Sequence, residues 1–379
     1  MDGSLLQRPK PTHVDEPSPT AMLAALERLV TVESPSLDKA RCDACADEVA
    51  RLFDELTGTP AIRHRRSDRG DHLEIRLGAG SEPPIVILCH HDTVWDAGTL
   101  QRLPFRIDGD RVSGPGSYDM KAGIVEAAFA LAASPLRRPV VVLSTSDEEI
   151  GSSSSRELIE AVARPAIAVL VLEPAQRGGA LKTARKGIAD FKLEIEGRAA
   201  HAGVEPEKGI SAIEELAHQV LVLRGLAEPK LGTTINVGVV SGGTRPNVVA
   251  AQAIAEIDVR FAQASEAERV VRAIRGLRPR ADGARLRVSG GVDRPPMERT
   301  EGIARLARLA QGLAREIGFE LEETSTGGGS DGNFTAALGV PTLDGLGPDG
   351  GGAHADSEHL LIGSWLLRTQ LLSRLIAAI

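Results

Sequence analysis

Three short runs of mostly branched aliphatic residues break off into acid or imidazole side chains, and this repetition restricts the fold more than any other feature. The runs are IVILCHHDTVW at 85–95, VVVLSTSDEE at 140–149 and AIAVLVLEP at 166–174. A continuous apolar run of this length predicts a strand buried on both faces, as in a parallel sheet covered by helices. In such sheets functional groups gather beyond the carboxyl ends of the strands. His90, Glu148 with Glu149, and Glu173 would then meet at one sheet edge. His90 and Asp92 are spaced i, i+2, which puts both on one face of an extended segment. A carboxylate there can take the second N–H of a ligating imidazole. The adjacent acids Asp147, Glu148 and Glu149 repel one another and need a cation or a raised pKa to coexist. One can bind metal while its neighbour handles protons. The pattern suits a two-metal hydrolytic site. A solvated strand end or acidic loop is the competing account of each run taken singly.

At 379 residues the chain is long enough for two domains. Aromatics make up 3% and the formal charge is −8, which argues against stacking on single-stranded nucleic acid and against a phosphate-backbone partner. The basic cluster at 63–66 reads as a solvated edge. Cys42 and Cys45 form a C-x-x-C, but they fall in a helical pattern and no second pair completes a zinc site. They read as ordinary helix residues. Few cysteines suit a reducing compartment, and no run is long enough to span a membrane. A cytoplasmic protein is expected. Residues 1–19 are polar and Pro-rich, lack a signal-peptide core and are expected to be flexible.

Helices are expected from Thr20, as N-cap, to the break at Pro35, and over 38–56. Asp119 opens an Ala-rich helix after a Gly/Pro turn. Taken alone it reads as a helix cap, although a carboxylate there could bridge two cations. From about 187 the character changes to strand, helix, strand, strand, helix, strand, with alternating strands that suit a sheet covered on one face. This reads as an insertion over 187–294. The remainder, 1–186 and 295–379, forms one discontinuous domain. His201 lies in the insert's first turn and His354 in a loop before the last helix; each is a lone histidine. The Gly-rich turn at 326–332 lacks the phosphate-loop Lys-Ser/Thr, and its N–H groups would suit a carboxylate.

HHDTV, GPGSYDMKAG, SDEEIGS, LEP, GRAAHAG, GGTRPNVV, GGGSDGNF and GAHADSE occur in that order. The set resembles the two-zinc exopeptidases and deacylases that include carboxypeptidase G (glutamate carboxypeptidase), acetylornithine deacetylase and succinyl-diaminopimelate desuccinylase. The resemblance implies an α/β zinc-peptidase domain, with a mixed, mostly parallel sheet flanked by helices, interrupted by an α+β ferredoxin-like lid that also makes a homodimer. It implies two Zn2+, with Co2+ or Mn2+ as substitutes. His90 and Glu173 would hold one, Glu149 and His354 the other, and Asp119 would bridge both. Asp92 would orient His90, Glu148 would be the general base, and a cis peptide would follow Asp119. His201 would stabilise the oxyanion in the other subunit's site. Asn247 and Arg260 would bind the substrate's free carboxylate beside the turn at Gly328 and Gly329.

The implied activity is hydrolysis of the amide bond of an N-acyl amino acid or peptide by metal-bound hydroxide. Glu173 in LEP favours the glutamate-carboxypeptidase branch, whereas SDGNF leans toward the deacylases. A metal-dependent phosphoesterase and a non-catalytic, metal-stabilised binding protein are the rival classes. The first needs a more basic pocket; the second should have lost a ligand or the base, and all are present.

Overall fold

The computed structural model describes residues 18–379. The flexible segment expected at 1–19 therefore lies, up to 17, outside the described residues. In chain order the elements begin with α1 (Pro19–Thr31), α2 (Lys39–Thr57), β1 (Ile62–His64), β2 (His72–Leu77), β3 (Ile85–His90), β4 (Arg106–Asp108), β5 (Arg111–Ser113), α3 (Ala122–Ala133), β6 (Val140–Thr145), α4 (Arg156–Ala163), β7 (Ala168–Val171) and β8 (Leu181–Arg185). Then come β9 (Gly187–Glu196), α5 (Ala212–Arg224), β10 (Thr234–Gly242), β11 (Gln252–Phe261), α6 (Ala264–Arg275) and β12 (Arg285–Arg294). The chain ends with α7 (Glu301–Ile317), β13 (Glu323–Thr326), α8 (Gly332–Ala337), β14 (Thr342–Leu343), β15 (Gly350–Gly351), β16 (His359–Leu361) and α9 (Ile362–Ala378).

The chain divides into two compact units. One takes the described residues up to Thr183 together with Arg299–Thr324 and Phe334–Ile379; the other takes Ala184–Glu298 and Ser325–Asn333. The second unit thus begins a few residues before 187, ends after 294, and also claims most of the Gly-rich turn, which lies far along the chain from the insertion.

In the first unit the six-stranded sheet has the order β1-β2-β6-β3-β7-β14. β6, β3, β7 and β14 run parallel, while β1 and β2 join antiparallel at the edge. Alternation on the central strands explains why their runs are apolar throughout. Ile85, Ile87, Val140 and Val142 pack into a core with residues of α1, α2, α3, α7 and α9. Val86, Leu88, Val141 and Leu143 face a separate cluster with α4 and Phe334. α3 is buried all round, and Gly123 lets it approach the end of β7: a Cβ there would meet the Leu172 carbonyl oxygen at 2.3 Å.

Local signals explain the helix ends. Asp38 caps α2 by accepting from the Arg41 N–H, and Gly58 closes it at φ 68°. α1 differs from expectation. It starts at Pro19, whose fixed φ suits the first helical position, and Ser18 rather than Thr20 is the flanking residue. Cys42 and Cys45 are both buried, and burial raises the Cys42 thiol, so neither stands as an exposed redox pair.

The second unit is a ferredoxin-like βαββαβ fold with antiparallel order β10-β11-β9-β12. Ala189, Phe191, Leu193 and Ile195 of β9 alternate onto one face with Ala255, Ile257 and Val259 of β11. There they pack against Leu216 of α5 and Val270 and Ile274 of α6.

One buried group in the first unit carries a stability prediction. Glu126 on α3 is fully buried, and neither carboxylate oxygen has a hydrogen-bond partner among the described residues. Burial raises its pKa well above the usual value, with Arg368 offsetting only part of this. The folded chain therefore keeps a proton that the unfolded chain releases above about pH 4.5. Stability from this group is full below that pH and declines as pH rises toward the folded pKa. Glu126→Gln removes the titration. Its stability should match the parent near pH 4 and exceed it at higher pH, the gap growing by about 1.4 kcal/mol per pH unit. Denaturant midpoints measured from pH 4 to 8 check this, and a pH-independent gap would refute it.

Candidate metal centre

β3, β6 and β7 end side by side, so the residues that follow them share one edge of the first unit. His90 closes β3 and is buried. Its Nδ1 lies 3.0 Å from the Asp92 carbonyl oxygen and 3.4 Å from the Asp92 carboxylate. Both partners are acceptors, so Nδ1 carries a proton and Nε2 is the nitrogen turned to the centre. Neighbouring His91 takes no part: its Nδ1 is 3.0 Å from the Ser144 hydroxyl, and burial lowers its pKa to about 3.

Asp92 does more than orient an imidazole. Its carboxylate accepts the backbone N–H groups of Glu148 and Glu149 at 3.3 and 3.2 Å, and the Ser36 hydroxyl at 2.7 Å. Burial would raise this carboxyl, but the His90 and Ser36 contacts hold it below the usual range. One buried anion therefore ties the end of β3 to the turn that bears Glu148 and Glu149.

Asp119 is not a helix cap. It sits in the turn Ser117–Lys121 with φ −112° and ψ 95°, α3 starts after it, and the Asp119–Met120 peptide is cis. Its Oδ1 lies 3.4 Å from His90 Nε2 and its Oδ2 3.5 Å from His354 Nε2. Glu173 Oε1 is 3.5 Å from His90 Nε2, and Glu149 Oε2 is 3.1 Å from His354 Nε2. His354 holds a left-handed conformation at φ 61°, unusual for a residue with a Cβ.

These residues fit a pair of cations. Ligand atoms of His90, Glu148 and Glu173 lie within 4.8 Å of one another, as do those of His90, Asp119 and Glu149. His90 Nε2 and Glu149 Oε1 are buried without a hydrogen-bond partner among the described residues. With protons as the only counter-ions, the histidines take up the charge. Asp119 and Glu149 push His354 up to about 10, and His90 is raised well above its usual value by Asp119, Asp92 and Glu173 against the effect of burial. Burial and the charge of Asp119 raise Glu149 to about 7. A cluster that must recruit protons to balance its carboxylates is one that a divalent cation would stabilise.

Glu358 was not anticipated. It is buried, and its carboxylate accepts the Trp95 indole N–H at 2.7 Å and the backbone N–H groups of Gly116, Tyr118 and Asp119 at 3.0, 2.9 and 3.1 Å. It shapes the turn that presents Asp119. It closes the run GAHADSE, four residues after His354, but nothing in that run marks it as buried. Glu358→Ala leaves four N–H groups without this acceptor. It should destabilise the chain by several kcal/mol, at about 1–3 kcal/mol per unsatisfied buried group. Denaturant unfolding reads the loss; a change under about 1 kcal/mol would contradict it.

The other predicted residues lie in the second unit. His201 is exposed and its Nδ1 accepts the Gly203 N–H at 3.2 Å, leaving Nε2 as the donor nitrogen. Its turn packs on that of Asn247, whose carbonyl accepts from Ala202 at 3.0 Å. Arg260 is engaged by Asp258 through Nε and Nη2, at 3.0 and 2.7 Å. The Gly-rich turn is held by its own hydrogen bonds and by Arg185. The Ser330 N–H donates to Asn333 and the Gly332 N–H to the Ser330 hydroxyl, while the carbonyls of Gly328 and Gly329 face the Arg185 guanidinium at 3.2 and 3.0 Å.

Residues 86–378 match Peptidase family M20/M25/M40. Carboxypeptidase G2 of Pseudomonas sp. strain RS-16 is 30% identical over 368 residues, covering 94% of this chain and 88% of that one. A succinyl-diaminopimelate desuccinylase of Leptothrix cholodnii is 29% identical over 365 residues, covering 89% and 93%. Among solved structures, aminopeptidase PepT of Bacillus cereus superposes with a TM-score of 0.77 over 95% of this chain and 98% of that one, at 22% identity, a likeness of fold.

Proposed function

The chain belongs to peptidase family M20/M25/M40 and is a hydrolytic metalloenzyme; from that premise we propose that it is an exopeptidase of the glutamate-carboxypeptidase type, cleaving the amide bond of an N-acyl amino acid or peptide with a free carboxylate. The observation that carries the reading is Asp119, which turns one oxygen to His90 and the other to His354 beside three glutamates. His90 and Glu173 would hold one Zn2+ and Glu149 and His354 the other, with the Asp119 carboxylate facing both histidines. Bound there, the pair would supply Lewis acidity to the water and the scissile amide.

The side chains do the rest. Asp92 keeps the proton on His90 Nδ1 and holds the backbone of Glu148 in place. The Glu148 carboxylate takes the proton of the attacking water and returns it to the leaving amine. His201 donates from Nε2 to the developing oxyanion and does so from a second subunit, so the working form is a homodimer through the ferredoxin-like unit. Asn247 and Arg260 take the substrate's carboxylate, with Arg260 released from Asp258 to do so.

A deacylase of the acetylornithine deacetylase or succinyl-diaminopimelate desuccinylase type is the second reading. The desuccinylase relative, matched over most of both chains, favours it. No helix among the described residues is long and apolar enough to cross a membrane. The buried free cysteines suit a reducing compartment, and we assign the chain to the cytoplasm. Release of free amino acid from folate-like N-acyl glutamates, N-acetylornithine, N-succinyl-diaminopimelate and dipeptides tests the reading and names the branch. Metal-loaded protein that releases nothing from any of them would overturn it.

A further inference from the structure

Of the three adjacent acids after β6, Asp147 alone stands in neither group of metal-ligand atoms. It is fully buried, and its Oδ2 accepts the backbone N–H and the hydroxyl of Ser154 at 2.7 and 2.8 Å. Its Oδ1 has no hydrogen-bond partner among the described residues, so Ser154 is what holds this carboxylate. The loop from β6 to α4 is thereby closed across residues 147–154. Against it stands His72, the buried first residue of β2. Its Nδ1 accepts the Ser146 N–H at 3.3 Å, and its Nε2 lies 3.2 Å from the Ser154 hydroxyl. The Ser154 hydroxyl gives its own proton to Asp147, so Nε2 is the nitrogen that carries a proton and donates to Ser154. One neutral imidazole thus joins the residue before Asp147 to the residue that holds its carboxylate. β6 lies between β2 and β3 in the sheet. Asp92, after β3, holds the Glu148 and Glu149 N–H groups from one side, and His72, on β2, holds the flanks of the same turn from the other.

We propose that His72 is a positioning residue for the hydrolysis: acting through Ser154 and Asp147, it fixes the acidic turn so that Glu148 and Glu149 keep their places. The inference rests on the reading above, in which Glu148 is the general base and Glu149 a metal ligand. Placement of such groups is worth a great deal. A shift of about 1 Å at a reacting group costs on the order of a hundredfold in rate, and loss of the partners that orient a metal site costs about 10–100-fold in affinity or activity.

The test measures kcat, KM and bound zinc for the zinc-loaded full chain, on the panel compound it hydrolyses fastest. Ser154→Ala, at a half-buried position, should lower kcat several-fold. His72→Leu should lower it by about tenfold or more, with KM within about twofold of the parent in both. The double variant should be no worse than His72→Leu, because the two side chains act along one path. His72→Gln, whose amide N–H can stand where Nε2–H stood, should recover most of the loss. A role in packing alone predicts a different pattern: a lower denaturant midpoint, with parental kcat per folded, metal-loaded molecule. That pattern, or single losses that multiply in the double variant, overturns the inference. Where His72→Leu does not fold, Ser154→Ala and His72→Gln decide by the same criteria. Glu148→Gln separates this inference from the reading beneath it. If Glu148→Gln is inactive while the His72 and Ser154 variants turn over at the parental rate, the base stands and the positioning role alone falls. If Glu148→Gln keeps parental turnover, or the parent hydrolyses nothing on the panel, the reading falls and the positioning role with it.

Discussion

Glu148→Gln should lower kcat by about a thousandfold while metal content and thermal midpoint stay at parental values. Removal of a general acid–base group costs roughly 10²–10⁴ in rate. Glu148 is asked to act twice, on the attacking water and on the leaving amine. The backbone of the variant should not move, because Asp92 holds the Glu148 and Glu149 N–H groups rather than their side chains. The assignment is open to a sharp failure. Glu148 lies within ligand distance of His90 and Glu173, the same range as the residues assigned to the metals. If Glu148→Gln loses one metal equivalent by elemental analysis, Glu148 is a ligand and the base must be sought elsewhere. If it keeps both metals and near-parental turnover, the base assignment is wrong.

The juxtaposition of these groups was legible in the sequence because strand periodicity is a strong signal when both faces are buried. β3, β6 and β7 are runs that could only sit in the middle of a sheet, and parallel pairing then forces their carboxyl ends to one edge. The i, i+2 spacing likewise placed Asp92 with His90, and turned His91 away. Nothing comparable marks Glu358. A carboxylate in a Gly-rich loop reads as solvated, and its burial follows only from folding that loop over the Asp119 turn, more than 200 residues earlier in the chain. The same blindness applies to Asp119. Its position before an Ala-rich helix matches a cap, and only its non-helical backbone shows that the helix starts later. The Gly-rich turn groups with the second unit, whereas sequence order places it after the first domain has resumed. Its buried pair, Arg294 with Asp331 at 2.9 Å, binds it to the second unit. Local chemistry thus predicted which residue types would gather, while long-range contacts decided how they are held.

Chelation should abolish hydrolysis and lower the thermal midpoint in one titration, and added zinc should restore both. The physical ground is the crowd of Asp119, Glu149 and Glu173 around two imidazoles, with buried ligand atoms that have no hydrogen-bond partner among the described residues. A cation that binds only the folded chain stabilises it by about 2.7 kcal/mol at a hundredfold excess over Kd, enough to move the midpoint by several degrees in a protein of this size. The variants separate the two sites. His354→Ala should reduce binding to one metal equivalent and keep part of the midpoint shift. Asp119→Ala should lose most of the shift, because one carboxylate faces both histidines. Arg260→Ala, in the second unit, should keep the whole shift while raising KM. Scanning calorimetry with and without zinc, alongside metal analysis, reads these outcomes independently of catalysis. A midpoint indifferent to zinc in the parent chain would mean that the cluster is stabilised by protons on His90 and His354 alone, and the two-metal centre would have to be abandoned.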